Sequence, residues 1–391
     1  MYTTNSKKNN KIILPPETLG ILGGGQLGTM FTIAAKTMGY NVLVLDPDVD
    51  APAKMFADQH ICKHYDDPEA LKQLEQCAAV TTEFENVSVD LMERLAKSVR
   101  VSPSSECVAI LQNRILEKKK IQTAGLKTVP YRVIDSYIDC NTDCVELLPG
   151  ILKTATLGYD GKGQILVNDL IELKQAFLDL KSVPCVLEKK LDLQSEASVV
   201  ISRLDQNTVK CFPVADNVHK NGILFTSTVP SGLMPNIQLE LQSHAIQLAN
   251  HLDYVGVLAV EFFIVNDKQK IYVNEIAPRP HNSGHYTLDA TLSSQFQQQV
   301  RILCGLPPLD TDLLRACTMV NVLGDLWPRN TQDPDWQILL REPVVHLHLY
   351  AKKEARPGRK MGHFNVLSDT PEKSLSVAHD LFNHLESCSA V

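Results

Sequence analysis

The chain is 391 residues long and carries a net charge of −7, with 44% hydrophobic and 21% charged residues. This length predicts two or three domains, and the acidic balance excludes a general attraction to nucleic acid or to an anionic membrane surface. No apolar run approaches the roughly 20 residues of a membrane helix. The ten cysteines show no CxxC spacing, which indicates free thiols in a reducing cytoplasm. Residues 1–17 are expected to form a disordered tail.

A βαβ unit is predicted at the start of the first domain, residues 18–112. Thr18–Leu22 and Asn41–Leu45 are apolar runs typical of buried parallel strands, and a helical pattern lies between them. The turn at 23–28 reads GGGQLG and matches the dinucleotide fingerprint GxGxxG, with Asp46 as the expected acid. Because amides at a helix N-terminus bind any phosphate, the motif leaves open NAD or another phosphate, including that of a ribonucleotide.

Glu83 directly follows a third predicted strand, Ala78–Thr82. Ligands of open parallel sheets bind at the carboxyl ends of the strands. Glu83 is therefore a candidate for binding ribose hydroxyls, although an acid in this loop could equally cap the next helix.

The second predicted domain, residues 113–190, is organised around a glycine-rich loop, Gly158–Gln164. The strand before this loop carries Lys153, and backbone amides together with a lysine can close over phosphates. Among the cations of the helix that opens the domain, Arg114 is a candidate phosphate contact. The run Lys118–Lys120 is expected to be a solvated face.

Tyr159 and Asp160 are unusual in a loop that would need only flexibility. An aromatic ring and an acid there favour groups aimed at the reacting substrate; the alternative is an Asp-Gly turn with a surface tyrosine. The domain ends in a predicted strand, Cys185–Lys190, which runs into a polar hinge, Glu188–Leu191. Backbone groups of such a hinge could contact an adenine edge.

Two runs, Val257–Val265 and Lys270–Asn274, are predicted to form a hairpin. If its turn is centred on Lys268, Glu261 lies opposite Glu275, with Cβ atoms roughly 5 Å apart. Like charges at that distance normally destabilise a sheet, whereas a hard cation between the carboxylates would stabilise the pair. The alternatives are a solvated pair at the rim or a register slip by one residue.

The loop after this hairpin is crowded with polar side chains. Arg279, His281, Asn282 and His285 follow one another among Pro and Gly. This composition is typical of a site for an anionic substrate beside a metal. The hairpin and the loop belong to the third predicted domain, residues 191–391.

Near the C-terminus, His346 and His348 fall on one face of a predicted strand, Val344–Tyr350. They are interpreted as sheet packing, because a metal site would need a third ligand. The next segment, 352–360, carries five cations in nine residues. It could be a nuclear-import or polyanion patch, but a phosphate clamp is favoured in a chain this acidic.

Taken together, these motifs resemble the ATP-grasp carboxylate–amine ligases, and among them the family of 5-(carboxyamino)imidazole ribonucleotide synthases. The segments that carry the resemblance are GGGQLG (23–28), GYDGKGQ (158–164), HKNGI (219–223), YVGVLAVEFF (254–263), NEIAPRPHNSGH (274–285) and RPGRKMGH (356–363). The resemblance implies an α/β fold, α+β within the grasp, in which an N-terminal Rossmann-like parallel-sheet domain precedes two domains that clasp ATP. It also implies a cytoplasmic homodimer that uses ATP, Mg²⁺ (two ions) and bicarbonate to carboxylate 5-aminoimidazole ribonucleotide through carboxyphosphate.

The family's functional residues carry over by position. Those implied to hold ATP are Arg114, Lys153, Gly158, Tyr159, Asp160, Gly161, Lys162, Gly163, Gln164, Glu188, Lys189, Lys190, Leu191, Glu196, His219, Asn274 and Glu275. Those implied to hold Mg²⁺ are Glu261, Asn274 and Glu275. Those implied to surround the ribonucleotide are Gly25, Gln26, Leu27, Glu83, Arg279, Asn282, Ser283, Lys352, Arg356, Arg359 and Lys360. Those implied to line the bicarbonate pocket are Tyr159, Asp160, Lys162 and His281, with Asp160 as the first candidate base and His281 as the second.

Two departures from the family and three alternatives remain. Thr154–Leu157 stands where some relatives carry arginines, and none of Lys118–Lys120 is carried into the site. The nearest alternative is the formate-dependent glycinamide ribonucleotide formyltransferase of the same superfamily. The others are an NAD-dependent oxidoreductase and a binding protein without catalysis.

Overall fold

The computed structural model describes residues 11–158, 163–265, 270–327 and 333–389. The described residues form sheets of five, four and nine strands, and each sheet lies within one of the ranges 18–112, 113–190 and 191–391. The predicted α/β architecture is confirmed, and we retain the three ranges as proposed domain boundaries. Within the described part of the chain, no helix is both long and apolar enough to cross a membrane.

The first sheet is parallel and has the strand order β3-β2-β1-β4-β5. Its strands are β1 (Thr18–Leu22), β2 (Asn41–Leu45), β3 (Gln59–Ile61), β4 (Ala79–Thr82) and β5 (Arg100–Val101). The helices of this part are α1 (Gln26–Thr37), α2 (Pro68–Leu74), α3 (Val89–Ala96), α4 (Ser105–Leu111) and α5 (Arg114–Thr123). The central strands are continuous apolar runs because both faces of the sheet are covered. The strand order reverses between β1 and β4, so a crevice opens at their carboxyl ends, where the GGGQLG turn and Glu83 meet.

The second sheet is antiparallel, with the order β6-β9-β7-β8. Its strands are β6 (Tyr131–Ile134), β7 (Gly150–Thr154), β8 (Gln164–Val167) and β9 (Cys185–Lys189). Helix α6 (Leu170–Asp179), capped by Asp169, packs on one face and buries Phe177 against Leu152 and Leu187. This arrangement places Lys153 and Glu188 on neighbouring strands, where their side chains can meet.

The third sheet follows the order β15-β14-β10-β12-β13-β16-β18-β17, with β11 paired to β10. Its strands are β10 (Leu193–Asp205), β11 (Thr208–Cys211), β12 (Ala215–Lys220), β13 (Ile223–Val229), β14 (Gly256–Val265), β15 (Lys270–Ala277), β16 (Ala316–Leu323), β17 (Val345–Leu349) and β18 (Lys360–Ser368). Its helices are α7 (Pro235–His251), α8 (Thr287–Ala290), α9 (Gln295–Leu303), α10 (Gln337–Leu340) and α11 (Pro371–Ser389). Helix α9 packs against β10 and β14 and also against α1, so it connects the third sheet to the first domain.

The predicted disorder of the tail is wrong for residues 11–17, whereas residues 1–10 lie outside the described residues. The amide of Ile13 donates to the carbonyl of Cys304 at 2.9 Å, and the carbonyl of Ile13 accepts from the Tyr40 hydroxyl at 2.9 Å. Ile13 is also buried, because this segment covers apolar surface shared by α1 and α9. The predicted free thiols Cys185 and Cys304 are confirmed as buried and unpaired by disulfides.

Candidate active site

The hairpin of β14 and β15 pairs Glu261 with Glu275, as predicted. The register closer to the turn differs from the predicted one, because Phe262 pairs with Val273. Asn274 is therefore an extra residue in β15, and the resulting β-bulge shifts the register by one. The predicted turn at 266–268 lies outside the described residues. The bulge thus brings the two acids opposite each other.

The bulge also explains how neighbouring residues of β15 contribute to one site. The Asn274 amide nitrogen donates to Glu261 Oε2 at 3.2 Å, so Asn274 reaches the same carboxylate that faces Glu275. Burial, and then the charge of Glu275, raises the pKa of Glu261. Two crowded carboxylates and an amide oxygen are ligands that suit Mg²⁺. Glu261, Asn274 and Glu275 are therefore retained as the candidate ligands, and the described residues contain no group of three His, Cys, Asp or Glu side chains that could hold a metal.

Lys153 and Lys118 both contact the carboxylate of Glu188. Their Nζ atoms lie 2.8 Å from Glu188 Oε2 and Oε1, respectively. The interpretation of Lys118 as part of a solvated face is wrong, since its side chain is 1% exposed. Burial alone would raise the pKa of Glu188, but the charges of Lys153 and Lys118 outweigh it and lower the pKa to about 2. The cluster therefore carries an excess positive charge in a buried place.

One face of α5 supplies the remaining buried charges. Arg114, Glu117, Lys118 and Ile121 follow the i, i+3, i+4, i+7 spacing, which places them on the same side of the helix. Arg114 Nη1 lies 3.2 Å from Glu275 Oε2, and Glu117 Oε1 accepts from a β15 backbone amide at 2.6 Å. This spacing is the sequence signal that would have identified Lys118 and Glu117, because three consecutive lysines cannot all face solvent on a packed helix.

The glycine-rich loop is described only at its two ends. Tyr159, Asp160, Gly161 and Lys162 lie outside the described residues, and Gly158, Gly163 and Gln164 lie within them. The carbonyl of Gly163 accepts from the Thr154 amide at 2.8 Å, and the carbonyl of Ala155 accepts from the Arg114 amide at 2.8 Å. The segment Thr154–Leu157, which replaces the arginines of some relatives, therefore connects the loop to α5.

The hinge links β9 of the second sheet to β10 of the third, and the Glu196–His219 pair joins the neighbouring strands β10 and β12. Glu196 Oε2 is 2.8 Å from His219 Nδ1. Burial would lower the pKa of His219, but the hydrogen bond to Glu196 outweighs it, so the pKa is raised. In the hinge, the amides of Lys189 and Lys190 already donate to the carbonyls of Pro130 and Pro149 at 2.9 Å. These two amides are therefore not available to a nucleobase, which limits the predicted use of Glu188–Leu191.

The GGGQLG turn is held by an internal carboxylate rather than open to a phosphate. Glu83 accepts from the amide of Gly25 at 2.5 Å and from the amide of Gly28 at 2.6 Å. Asp46 accepts from the Gly24 amide at 2.7 Å. Glu83 therefore occupies the anion position at this helix N-terminus, and the ribonucleotide contact of Gly25, Gln26 and Leu27 stays a prediction. Glu83 does cap a helix, but the helix is α1, which precedes it in the chain.

Replacing Glu83 with glutamine is expected to reduce the free energy of unfolding by about 1–3 kcal/mol, because one glycine amide would then face an NH₂ group. Burial raises the pKa of Glu83, so part of this loss is offset by removing a buried charge. Urea unfolding measures the difference, with Glu93→Gln on exposed α3 surface as the control. Equal stability of both variants and the wild type would contradict the capping role.

The cations predicted to surround the ribonucleotide fall into separate groups. Lys352 Nζ donates to the Gln26 side chain and, at 2.8 Å, to the Lys360 carbonyl, so these three positions meet beside Gly25 and Leu27. Arg279 forms an ion pair with Glu85, which had no predicted role. Burial would raise the pKa of Glu85, but Arg279 outweighs it and lowers the pKa to about 2.

Arg356 and Arg359 do not join that group directly. Arg356 pairs with the carboxylate of Glu354, and its side chain is 70% exposed. Arg359 donates to the Glu354 carbonyl at 2.9 Å. These contacts lie within one surface loop, so its two arginines are brought together with each other rather than with Lys352.

The loop after β15 places His281, Asn282 and Ser283 beside the paired acids. His281 Nδ1 lies 2.8 Å from Ser283 Oγ, and His281 Nε2 lies 3.5 Å from Glu261 Oε1. Burial, and then the charge of Arg279, lowers the pKa of His281 well below its usual range, so the imidazole is neutral. Asn282 is 6% exposed, and neither polar atom of its amide has a hydrogen-bond partner among the described residues.

His348 packs within the sheet, as interpreted, because it pairs with His363 of β18, and both His346 and His348 also contact an acid of α8. His348 Nε2 lies 2.8 Å from Asp289 Oδ2, and His346 Nδ1 lies 3.5 Å from Asp289 Oδ1. The His348 ring also stacks on the His363 ring, with centroids 4.6 Å apart. The pair therefore connects the edge strand β17 to α8, which follows the His281–Ser283 segment.

Comparisons with known proteins identify the family of this chain. Three family models match: the ribonucleotide synthetase preATP-grasp domain (residues 17–112), the ATP-grasp domain (119–296) and the phosphoribosylaminoimidazole carboxylase C-terminal domain (317–376). The N5-carboxyaminoimidazole ribonucleotide synthase of Bacillus subtilis is 42% identical over 93% of this chain and 95% of its own length. That of Brucella melitensis is 41% identical over 89% and 96%, respectively.

Solved structures show the same fold. The ADP complex of an N5-carboxyaminoimidazole ribonucleotide synthetase is 40% identical, with a TM-score of 0.89, and covers 97% of this chain and 100% of its own. The Aspergillus clavatus N5-carboxyaminoimidazole synthase in complex with ADP and 5-aminoimidazole ribonucleotide is 28% identical, with a TM-score of 0.85 and coverage of 97% and 100%. On this sequence identity, coverage and fold, the chain belongs to the family of N5-carboxyaminoimidazole ribonucleotide synthases, within the ATP-grasp enzymes.

Proposed function

We propose that this chain carboxylates 5-aminoimidazole ribonucleotide to 5-(carboxyamino)imidazole ribonucleotide, using ATP and bicarbonate and releasing ADP and phosphate. The observation that carries the proposal is the opposed pair Glu261 and Glu275 directly beside the His281–Ser283 segment. This juxtaposition puts candidate metal ligands next to polar groups for a second substrate. The relatives bear the name of this activity, and it places the chain in purine biosynthesis.

The buried cations support a role in phosphoryl transfer. Lys153, Lys118 and Arg114 provide positive charge on the side of the cleft that holds Glu188 and Glu275. When bound by Glu261, Asn274 and Glu275, Mg²⁺ would supply further positive charge to the phosphate oxygens. Bicarbonate oxygen attacks the γ-phosphorus of ATP, ADP leaves, and carboxyphosphate forms. In this step the lysines and Arg114 stabilise charge that spreads over the phosphoryl oxygens.

The carboxyl transfer needs a proton acceptor for the amine of the ribonucleotide. Carboxyphosphate breaks down to CO₂ and phosphate, the amine nitrogen attacks the CO₂ carbon, and a base takes the amine proton. Asp160 is our first candidate, and Tyr159 and Lys162 are proposed to act in the same step. His281 is the second, and its neutral imidazole supports that role. Lys352, Lys360, Arg356 and Arg359 are proposed to face the ribonucleotide phosphate.

Replacing Asp160 with alanine is expected to abolish carboxylation while weakening ATP binding much less, because a base acts on the acceptor rather than on the nucleotide. Initial rates of carboxylation and equilibrium binding of ATP separate the two effects. An equal loss of both would contradict the role of Asp160 as base. His281→Asn, measured in parallel, assigns the second candidate.

The function itself is tested by coupled ADP release with Mg–ATP, bicarbonate and aminoimidazole ribonucleotide, each omitted in turn. Release is expected to require the ribonucleotide, and labelled bicarbonate carbon is expected in the N-carboxylated product. Release driven by formate and glycinamide ribonucleotide would instead support the formyltransferase, which the relatives do not favour. We also propose a homodimer, to be tested by sedimentation equilibrium.

A further inference from the structure

The His281–Thr287 segment is organised around a single buried side chain, Gln295. Gln295 is the first residue of α9 and is 0% exposed. Its Oε1 accepts from the His281 amide at 2.8 Å, and its Nε2 donates to the His281 carbonyl at 2.8 Å. One side chain amide thus satisfies both backbone groups of His281, which fixes the orientation of that peptide segment.

Two further hydrogen bonds hold the same segment to Gln295. Gln295 Nε2 lies 3.2 Å from His285 Nδ1, and the Gln295 amide donates to Thr287 Oγ1 at 3.1 Å. Gly284, in the same segment, lies so close to Gln295 that a Cβ atom added to it would be 2.6 Å from Gln295 Oε1. The segment therefore approaches Gln295 so closely that a side chain at position 284 would displace it.

Helix α9 is itself fixed to both parts of the proposed site. Phe296, next to Gln295, is buried in the core that α9 shares with α1, the helix that begins at Gln26. The same helix packs against β14, which carries Glu261. The position of Gln295 is therefore set relative to the candidate metal ligands and to the GGGQLG turn.

We propose that Gln295 is a positioning residue for the second step of the reaction, in which the amine of the ribonucleotide is carboxylated. By fixing the His281 backbone, Gln295 holds the His281 imidazole beside Glu261, with His281 Nε2 3.5 Å from Glu261 Oε1. It also sets the orientation of the next residue, Asn282, whose side-chain amide is buried. Gln295 itself is 0% exposed and acts through these neighbours. This inference rests on the proposed carboxylation of the ribonucleotide and adds a residue that controls it.

Gln298 provides a matched control on the same helix. It is also 0% exposed, and it clamps the backbone of Leu309 in the same way: Oε1 accepts from the Leu309 amide at 3.0 Å and Nε2 donates to the Leu309 carbonyl at 2.9 Å. Its clamp holds a segment that contains none of the candidate site residues. Gln295→Ala and Gln298→Ala therefore remove the same kind of contact. The first releases the backbone of a candidate site residue, His281, and the second releases the backbone of Leu309.

The test compares the two alanine variants by ADP release and by labelled carboxylated product. Both are expected to lose similar thermal stability. Gln295→Ala alone is expected to raise the KM for the ribonucleotide about tenfold, and to increase the ADP released per carboxylated product, with the KM for ATP unchanged. Gly284→Ala, which displaces the Gln295 side chain without removing it, is expected to give the same kinetic change and covers the case in which Gln295→Ala does not fold.

Three results would overturn the inference. Identical kinetics of Gln295→Ala and Gln298→Ala, or wild-type kinetics of Gly284→Ala, would reduce Gln295 to a structural role. An equal rise in the KM values for ATP and ribonucleotide would do the same. Failure of the proposed function is seen separately, because the wild type itself would then show no ribonucleotide-dependent ADP release.

Discussion

Replacing Glu261 with glutamine is expected to abolish carboxylation and yet to leave the magnesium-free protein at least as stable as the wild type. Glu261 and Glu275 face each other across the hairpin, and burial followed by the charge of Glu275 raises the pKa of Glu261. The folded protein therefore holds the charged form of Glu261 at a cost, which glutamine removes. Activity should fall by about 10³-fold, since a metal site contributes several kcal/mol to the transition state.

The stability gain of Glu261→Gln should depend on pH in a defined direction. An acid whose pKa is raised by folding lowers stability above that pKa, and the penalty disappears as the pH falls toward its ordinary value of 4.5. Urea unfolding of variant and wild type in EDTA, between neutral pH and pH 4.5, measures this. The control is Glu240→Gln in α7. The Glu240 side chain is half-exposed, with Oε1 3.8 Å from His244 Nε2, and its replacement should change neither carboxylation nor the stability in EDTA. If Glu261→Gln retained carboxylation, the assignment of Glu261 as a metal ligand would be contradicted.

Replacing Glu188 with glutamine is expected to destabilise the nucleotide-free protein strongly. Bound nucleotide is expected to restore part of the lost stability. Glu188 is the carboxylate between Lys153 and Lys118, both within 2.8 Å. Its removal leaves two buried ammonium groups without a counter-charge, which costs about 3–5 kcal/mol in comparable cases. Phosphate groups of Mg–ADP would restore negative charge near the lysines, so saturating Mg–ADP should raise the melting temperature of the variant more than that of the wild type.

The pH dependence of the wild type gives an independent measure of the same cluster. Burial alone would raise the pKa of Glu188, but Lys153 and Lys118 lower it to about 2 from the ordinary 4.5. A depressed acid contributes stability above pH 4.5 and loses it as the pH falls through about 2. The shift corresponds to about 3 kcal/mol, which Glu188→Gln should lack. The exposed Glu146→Gln is the control, and a smaller Mg–ADP effect in Glu188→Gln than in the wild type would contradict the assignment.

Local patterns in the sequence predicted most of the elements that carry the site. β1 and β2 have the predicted bounds because their apolar runs end at Gly23 and Asp46. Glu261 and Glu275 were correctly paired, although the assumed register held only because Asn274 forms a bulge. The first turn of α9 is set by the Ser294–Gln297 capping box, which is itself a local pattern.

Side-chain partners brought from distant parts of the chain were not predictable in this way. Lys118 was assigned to solvent because it stands in a run of lysines, and only the packing of α5 against the second sheet reveals its contact with Glu188. Glu83 was considered for a ribose, whereas its carboxylate closes the GGGQLG turn from 55 residues away. In both cases a buried charge must find a partner, and the sequence does not say which one.

The sequence by itself determined the order of the elements, the family, and the residue types present at each end of the cleft, because these depend on local periodicity and on contiguous motifs. Only the tertiary structure decided which partner each buried charged or polar side chain contacts. Glu83 accepts hydrogen bonds from the GGGQLG turn, Lys118 joins Lys153 on Glu188, and Gln295 holds His281. These outcomes depend on which charged and polar groups lose water together when distant segments pack, and that is fixed by the whole fold rather than by any one segment.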